Sequence, residues 1–367
     1  MVDLPPGRDI EGIPGLRFYS PGAEAGDRHP ELFHYTKLEG FKAIIASGSL
    51  WATEYRSLND SSEIRFSKGA LAEPIAQHLE SYLKAKQRTK FSVRRRVQAM
   101  GGLHDAATKL GGAVVSLLHR CIFQESVGSE YSPPAMAVPF ITSFCSHSSD
   151  DAYTNENGLL SQWRAYGGAG GVCIVFDSKR ILQLIADESR AYFWGFIGLN
   201  EVTYFDSAFG PQKAGREILH FCERIAEFLL AGAPMNGTHP EWAIDSSDAF
   251  IRFINLTTRL KHPAFREERE VRIVVSPITE QQIESYTDEF RSLFRATQSR
   301  QPHMALKQVR NGPNHRRHIS LFDGADLRSA IRRLIVGPTS AQDDLYRAAA
   351  TLLPGIPIAR SKTPFIG

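Results

Sequence analysis

"ELFHYTKLEGFKAIIASGSLWATEYRSLNDSSE", residues 31–63, decides how the N-terminal half of the chain is read. Leu32 to Thr36 reads as a short strand. Leu38, Phe41, Ile44 and Ile45 then recur at helical spacing, and Gly48 stands where a helix end calls for a left-handed residue. Ser49 to Thr53 returns as a second strand. Asp60 precedes Glu63 by the spacing of a capping box, so a helix is expected just after the Asn59-Asp60 turn. This strand–helix–strand unit accounts for every residue except His34 and Tyr35. Either the stretch is a stiff hairpin with incidental polarity, or that pair belongs to one wall of a ligand site.

The rest of the 367-residue chain alternates short strands with long helical blocks. Residues 1–30 are rich in Pro, Gly and charge and read as a loosely held lead-in, leaving 31–367 as one domain. Residues 64–125 read as helical with a break near Arg88 to Phe91, and helices are expected over 212–231, 241–261, 279–296 and 341–352. Strands are expected at Val138 to His147, Gly171 to Phe176, Glu268 to Ser276, Ala330 to Val336 and Ile356 to Ser361, with a short helix at Leu159 to Tyr166. Asp177 or Ser178 caps a helix that follows. The order is irregular, which predicts an α+β fold whose sheet core carries helical insertions at about 64–125 and 212–261.

Hydrophobic residues make up 42% and charged residues 23%, the composition of an ordinary folded chain, and the net charge of +3 permits a nucleic-acid partner without requiring one. The four cysteines are scattered, and neither a leader pattern nor an apolar run of membrane-spanning length occurs, so a cytoplasmic protein with no membrane partner is expected.

Familiar catalytic signatures are missing. There is no HExxH, no EF-hand loop, no GxSxG and no GxxxxGK[ST]. Cys145 and His147 share a strand face, but two ligands alone make no metal site, so none is predicted. The glycines of "YGGAGGVCIVFD", residues 166–177, follow a helix and precede a strand. That is the reverse of a phosphate-cradling loop, which leaves a helix-to-strand connection.

"FREEREVRIVV", residues 265–275, carries more information. Read as a strand, it puts Glu268, Glu270 and Arg272 on one face, a charged row that is costly to bury. An arginine there can hold one carboxylate ionised while its neighbour faces a substrate, although a solvated face with a surface ion pair has the same pattern. Trp163 and Tyr166 share a helix face and serve either as a flat ligand surface or as core. Two basic stretches, "KAKQRTKFSVRRRV" (84–97) and "RNGPNHRRH" (310–318), read first as a solvated helix face and a charged hairpin tip, with contact to nucleic-acid phosphates as the alternative.

As an ordered set, "FHYTKLEGFKAIIASGSLWAT", "LNDSSE", "SFCSH", "SQWRAYGGAGGVCIVFD", "EEREVRI" and "SKTPF" resemble an uncharacterised bacterial family of unknown function found among mobile and defence-associated loci. More distantly, the His-aromatic-Thr strand, glycine-capped helix, returning strand and late glutamate resemble the ADP-ribosyltransferase superfamily. That resemblance implies a split, mixed β-sheet holding NAD as substrate, with a protein or nucleic-acid acceptor and a toxin or defence role. It implies that His34 contacts a ribose hydroxyl and that the Tyr35 backbone grips the nicotinamide amide, with Thr36 on the same strand. Ser143 and Phe144 line the pocket, and Glu270, with Glu268 as near equivalent, is the catalytic carboxylate. Arg56 and Asn59 join Trp163 and Tyr166 as candidates for cofactor contacts. NAD glycohydrolysis, or a non-catalytic ligand- or nucleic-acid-binding module, is the rival expectation.

Overall fold

A computed structural model describes residues 22–58, 62–123, 138–168, 170–205, 215–231, 247–285 and 288–364. Two curled sheets share one apolar core. The first has four strands: β1 (Glu31–Lys37), β4 (Gly171–Asp177), β12 (Ile331–Val336) and β13 (Ile358–Arg360), in the order β1-β4-β12-β13. The second has the order β10-β11-β2-β3-β8-β5-β9 and is built from β2 (Leu50–Glu54), β3 (Phe140–Phe144), β5 (Tyr192–Glu201), β8 (Val271–Pro277), β9 (Ala305–Leu306), β10 (Arg310–Asn311) and β11 (Arg317–Leu321). A two-stranded ribbon of β6 (Thr203–Tyr204) and β7 (Leu260–Lys261) lies beside it.

The helices are α1 (Gly22–Arg28), α2 (Leu38–Ser47), α3 (Ser62–Thr89), α4 (Phe91–Ala99), α5 (Leu103–Phe123), α6 (Ala152–Asn157), α7 (Leu160–Gln162), α8 (Ser178–Ala191), α9 (Arg216–Ala231), α10 (Ser247–Thr257), α11 (Glu280–Ser285), α12 (Asp288–Arg300) and α13 (Gln342–Leu352). Leu32, Ile174 and Phe176 of the first sheet meet Phe144, Val271, Ile273 and Ile319 of the second, with Phe41 of α2 and Ile181 and Ile185 of α8 filling the space between. A separate apolar cluster joins α3, α5, α9 and α10 through Leu71, Ile75, Leu118, Ile225 and Phe253.

The two sheets touch at one edge of β3. β2 pairs there with Phe140 and Ile141, whereas β1 reaches the same edge only beyond it, where Phe33 exchanges both backbone hydrogen bonds with Cys145 at 2.9 Å. Between those anchorages the edge of Thr142, Ser143 and Phe144 is left without a strand partner, and the sheet is split. Strand alternation turns the Tyr35 amide toward the same edge as that of Phe33. The Ser143 carbonyl, which a continued ladder would give to Tyr35, instead faces the His34 ring, with Nδ1 at 3.1 Å.

The opening unit folds as its pattern predicts. Gly48 ends α2 at φ +62°, its N–H bonding the Ile44 carbonyl, and the Asp177 side chain caps α8 by accepting from the Arg180 N–H. Elsewhere the structure corrects the reading. Residues 22–28 of the supposed lead-in form α1, packed on α8 and β5. The helix expected to run to 261 ends at Thr257, and Leu260–Lys261 forms β7. The strand expected from Glu268 starts at Val271, because Pro263–Glu268 is a 3₁₀ turn capped by His262 and closed by Arg269 at φ +42°. β3 stops at Phe144, so Cys145 and His147 do not share a strand face. β5 and β11 were not anticipated. β5 is a nearly continuous apolar run buried on both faces, and it lacks the alternation that marks a half-exposed strand. Residues 212–214, 241–246 and 59–60 lie outside the described residues, and with them the Asn59-Asp60 turn.

The glycine-rich connection has a steric cause. A Cβ on Gly171 would lie 2.6 Å from the Cα of Gly167 and 2.8 Å from the Thr36 carbonyl oxygen, both rigid backbone atoms. Gly171→Ala is expected to destabilise the fold by about 1–3 kcal/mol. Gly112→Ala, on an α5 position with open space around it, should be neutral or stabilise by up to about 1 kcal/mol. Urea denaturation of the two variants side by side tests both.

Candidate active site

The split opens into a cleft of about 380 Å³. Its walls come from both sheets: His34 and Tyr35 of β1, Trp51 and Thr53 of β2, and Ser143 and Phe144 of β3. Tyr166 enters from a turn of π-helix, Trp163–Gly167, which follows α7. Glu268, Glu270 and Arg272 enter from the 3₁₀ turn and the start of β8. The β3–β8 register sets Ser143 opposite Arg272, so one pair of adjacent strands carries the β1 residues to the carboxylates.

At the carboxylate end four charged side chains, Glu63, Lys261, Glu270 and Arg272, are buried together, with a half-buried fifth, Glu268, against them. Arg272 Nε donates to Glu270 Oε1 at 2.7 Å and Nη2 to Glu270 Oε2 at 2.9 Å. Nη2 also reaches Glu63 Oε2 at 2.6 Å, and Nη1 donates to the Thr258 carbonyl at 2.8 Å. Lys261 Nζ meets Glu268 Oε2 and Glu270 Oε2, each at 2.7 Å, and Glu63 Oε1 at 3.2 Å. Three carboxylates against two cations leave one negative charge in excess when all are ionised.

The two central carboxylates differ. Burial works against ionisation of Glu270, but Arg272 and Lys261 overcome it through charge and hydrogen bonds and hold its pKa down at about 2. Burial pushes the Glu268 carboxyl up, only partly offset by Lys261. Glu268 is also the more exposed of the pair. Glu270 is thus a fixed anion with both oxygens bound, and Glu268 is the carboxylate with room to take or give a proton.

On the opposite wall, burial lowers the His34 pKa, so the ring is neutral near pH 7. A carbonyl can only accept, so Nδ1 carries the proton toward Ser143 and Nε2 is left as an acceptor. The Tyr35 hydroxyl accepts from the Leu159 N–H at 2.8 Å, lies 3.2 Å from His147 Nε2, and its ring stands edge-on to Trp163. Burial pushes the Cys145 thiol well up, so it is no nucleophile despite facing the cleft.

Of the residues singled out from sequence, His34, Tyr35, Ser143, Phe144, Tyr166, Glu268 and Glu270 line this one cleft. Trp163 does not. It is 1% exposed, its indole N–H bonds the Asn157 carbonyl, and it buttresses Tyr35 from behind. Arg56 lies outside the lining, with Nε on the Tyr55 hydroxyl at 2.8 Å. Thr36 is also outside it, close against Gly40 of α2. Asn59 lies outside the described residues, and among those described no group of three or more metal-ligating side chains occurs.

Lys261, Glu63, Trp51, Phe265 and Arg316 also line the cleft and are not among the residues the sequence singles out for it. Glu63 was read only as a capping partner, and Lys261 only as the tail of a helix. For Trp51 and Phe265 a signal exists in the structure alone. They are 46% and 38% exposed, and with Tyr166 at 39% they are three of the five large hydrophobic side chains exposed among the described residues.

A model of a protein family of unknown function, DUF2971, matches residues 162–273, the part that supplies Tyr166, Lys261, Glu268, Glu270 and Arg272. No curated protein and no solved structure matches the chain.

Removing the guanidinium strands two buried carboxylates, so Arg272→Met should cost about 3–5 kcal/mol in chemical denaturation. Glu270 also sets the acid limb. A carboxylate whose folded pKa is depressed contributes stability that is complete above its ordinary value of 4.5 and is lost as pH falls toward about 2. Glu270→Gln should therefore flatten the loss of stability over that interval, by on the order of 3 kcal/mol. Glu268→Gln should leave that limb in place, since the raised Glu268 pKa acts with the opposite sign.

Proposed function

We propose that this chain is an NAD-dependent ADP-ribosyltransferase-like protein, a bacterial toxin or defence effector that passes ADP-ribose from NAD to a macromolecule. The observation carrying the reading is the convergence of His34 and Tyr35 with Glu268 and Glu270 across one cleft at the split between two sheets. The exposed rings of Trp51, Tyr166 and Phe265 give that cleft flat surfaces suited to a ligand with planar heterocycles. The distant resemblance noted above points the same way.

In this reading the bond between ribose C1′ and the nicotinamide nitrogen breaks with its electron pair leaving on nicotinamide, which neutralises the ring's positive charge. C1′ is left as an oxocarbenium-like cation. The excess negative charge of the ion cluster stabilises that cation, with Glu270 held ionised at any physiological pH. His34 Nε2 accepts from a ribose hydroxyl. The edge-facing amide of Tyr35 pairs with the nicotinamide carboxamide, and Phe144 packs on the ring. Glu268 takes the proton of the incoming nucleophile as its oxygen bonds to C1′. Lys261 and Arg272 hold the two carboxylates apart in role and do not touch the reacting atoms.

Incubation with NAD labelled on the adenylate portion, together with a cell extract, tests the proposal. Nicotinamide should be released and label should appear on a macromolecule. Glu268→Gln is expected to lower release by about 10²–10⁴-fold with the circular dichroism spectrum unchanged. Free ADP-ribose as the sole labelled product would assign the cleft to NAD hydrolysis. Absence of release by the wild-type chain, or full turnover by both Glu268→Gln and Glu270→Gln, overturns the reading.

A further inference from the structure

The 84–97 stretch has no part in the cleft. α3 has Glu63 at the cleft in its first turn and runs 28 residues from Ser62, about 40 Å, to Thr89. Lys90 is extended and turns the chain, and α4 starts at Phe91. Val97 is buried and Val93 is packed against the helical cluster. The opposite face of α4 carries Phe91 with Arg94 and Arg95, three and four residues on, as neighbours in space. Lys84 and Arg88, one turn apart, are exposed on the adjoining end of α3, Lys90 is exposed at the joint, and Arg96 is exposed in the last turn of α4. Lys86 is taken by Glu227 at 2.6 Å, but Lys84, Arg88, Arg94, Arg95 and Arg96 make no ion pair with any described residue.

A solvated basic helix face explains those charges but not Phe91. Its side chain is 77% exposed, more than any other large hydrophobic residue described. An uncovered ring ringed by unpaired cations fits a polymer that offers flat apolar faces and regularly spaced negative charge. Single-stranded nucleic acid has both, whereas a duplex keeps its base faces stacked away. An anionic membrane shares the charge but needs an apolar helix face to insert, and the apolar face of α4 is already packed into the helical cluster.

We infer that the α3–α4 joint is a docking surface for single-stranded nucleic acid, on which Phe91 stacks with an unpaired base and Lys84, Arg88, Arg94 and Arg95 neutralise the flanking phosphates. The inference stands apart from the chemistry proposed for the cleft.

The test is fluorescence anisotropy of a labelled oligothymidine of about 12 nucleotides with the full chain, across a range of salt concentrations. Affinity should fall with salt at a slope of about 0.7 per phosphate engaged, close to 3 for four contacts. Phe91→Ala should weaken binding about 5- to 150-fold with little change in slope. The double substitution Arg94→Gln and Arg95→Gln should lower the slope by about 1.4. Glu268→Gln should bind like the wild type, since it leaves this surface untouched. Absence of binding at low salt, or binding indifferent to both sets of changes, overturns the proposal. So does equal affinity for duplex, or Phe91-dependent capture by phosphatidylserine vesicles in place of the oligonucleotide.

Discussion

Arg272 donates to Glu270, to Glu63 and to the carbonyl of Thr258, and so ties β8 to α3 and to the chain just beyond α10. Such a cluster is a poor stabiliser for its size, because each charge loses its hydration on burial and regains it only through near-ideal geometry. Its effect is to fix position and charge. With both oxygens of Glu270 occupied, the ionised form is fixed beside the cleft.

The split depends on a second constraint, the sharing of one strand edge by two partners. β2 covers β3 at Phe140 and Ile141, β1 at Cys145, and the interval is too short for either to continue. The Ser143 carbonyl that would have extended the ladder is met by the His34 ring instead, and the Tyr35 amide is left facing the opening. The polar pair that is anomalous in a buried strand suits an interrupted ladder: the His34 side chain satisfies one orphaned carbonyl, and the next residue's amide faces the cleft.

Much of this was legible in the residues. The β1–α2–β2 unit followed from periodicity and from the glycine cap, and the charged row at 268–272 was recognisable as expensive to bury. What could not be read was the route by which Glu268 reaches its place. Strict alternation from Glu268 onward assumes a strand, but Pro263 and a left-handed Arg269 turn the chain first, and Lys261 draws both carboxylates together afterwards. Lys261 had no local signal at all, since a lysine at a helix end is ordinary and its partners are fixed by tertiary packing. Trp163 was placed correctly on a helical turn but with the wrong neighbour, because aromatic spacing does not say which ring faces the cavity. β5 was missed for a related reason, a run of apolar residues being silent about its own period.

Glu63 belongs to the first turn of α3 and, through it, to the long helical block that interrupts the sheet core. That membership removes the option of treating the block as an ornament. A trimmed chain that joined β2 directly to β3 would lose Ser57 and Leu58 from the cleft lining and, with Glu63, one of the three anions. Arg272 would then be shared by fewer acceptors, and the surplus charge would vanish. The helices and the sheets are therefore one electrostatic unit, and neither can be exchanged for a foreign module while the other stays as it is.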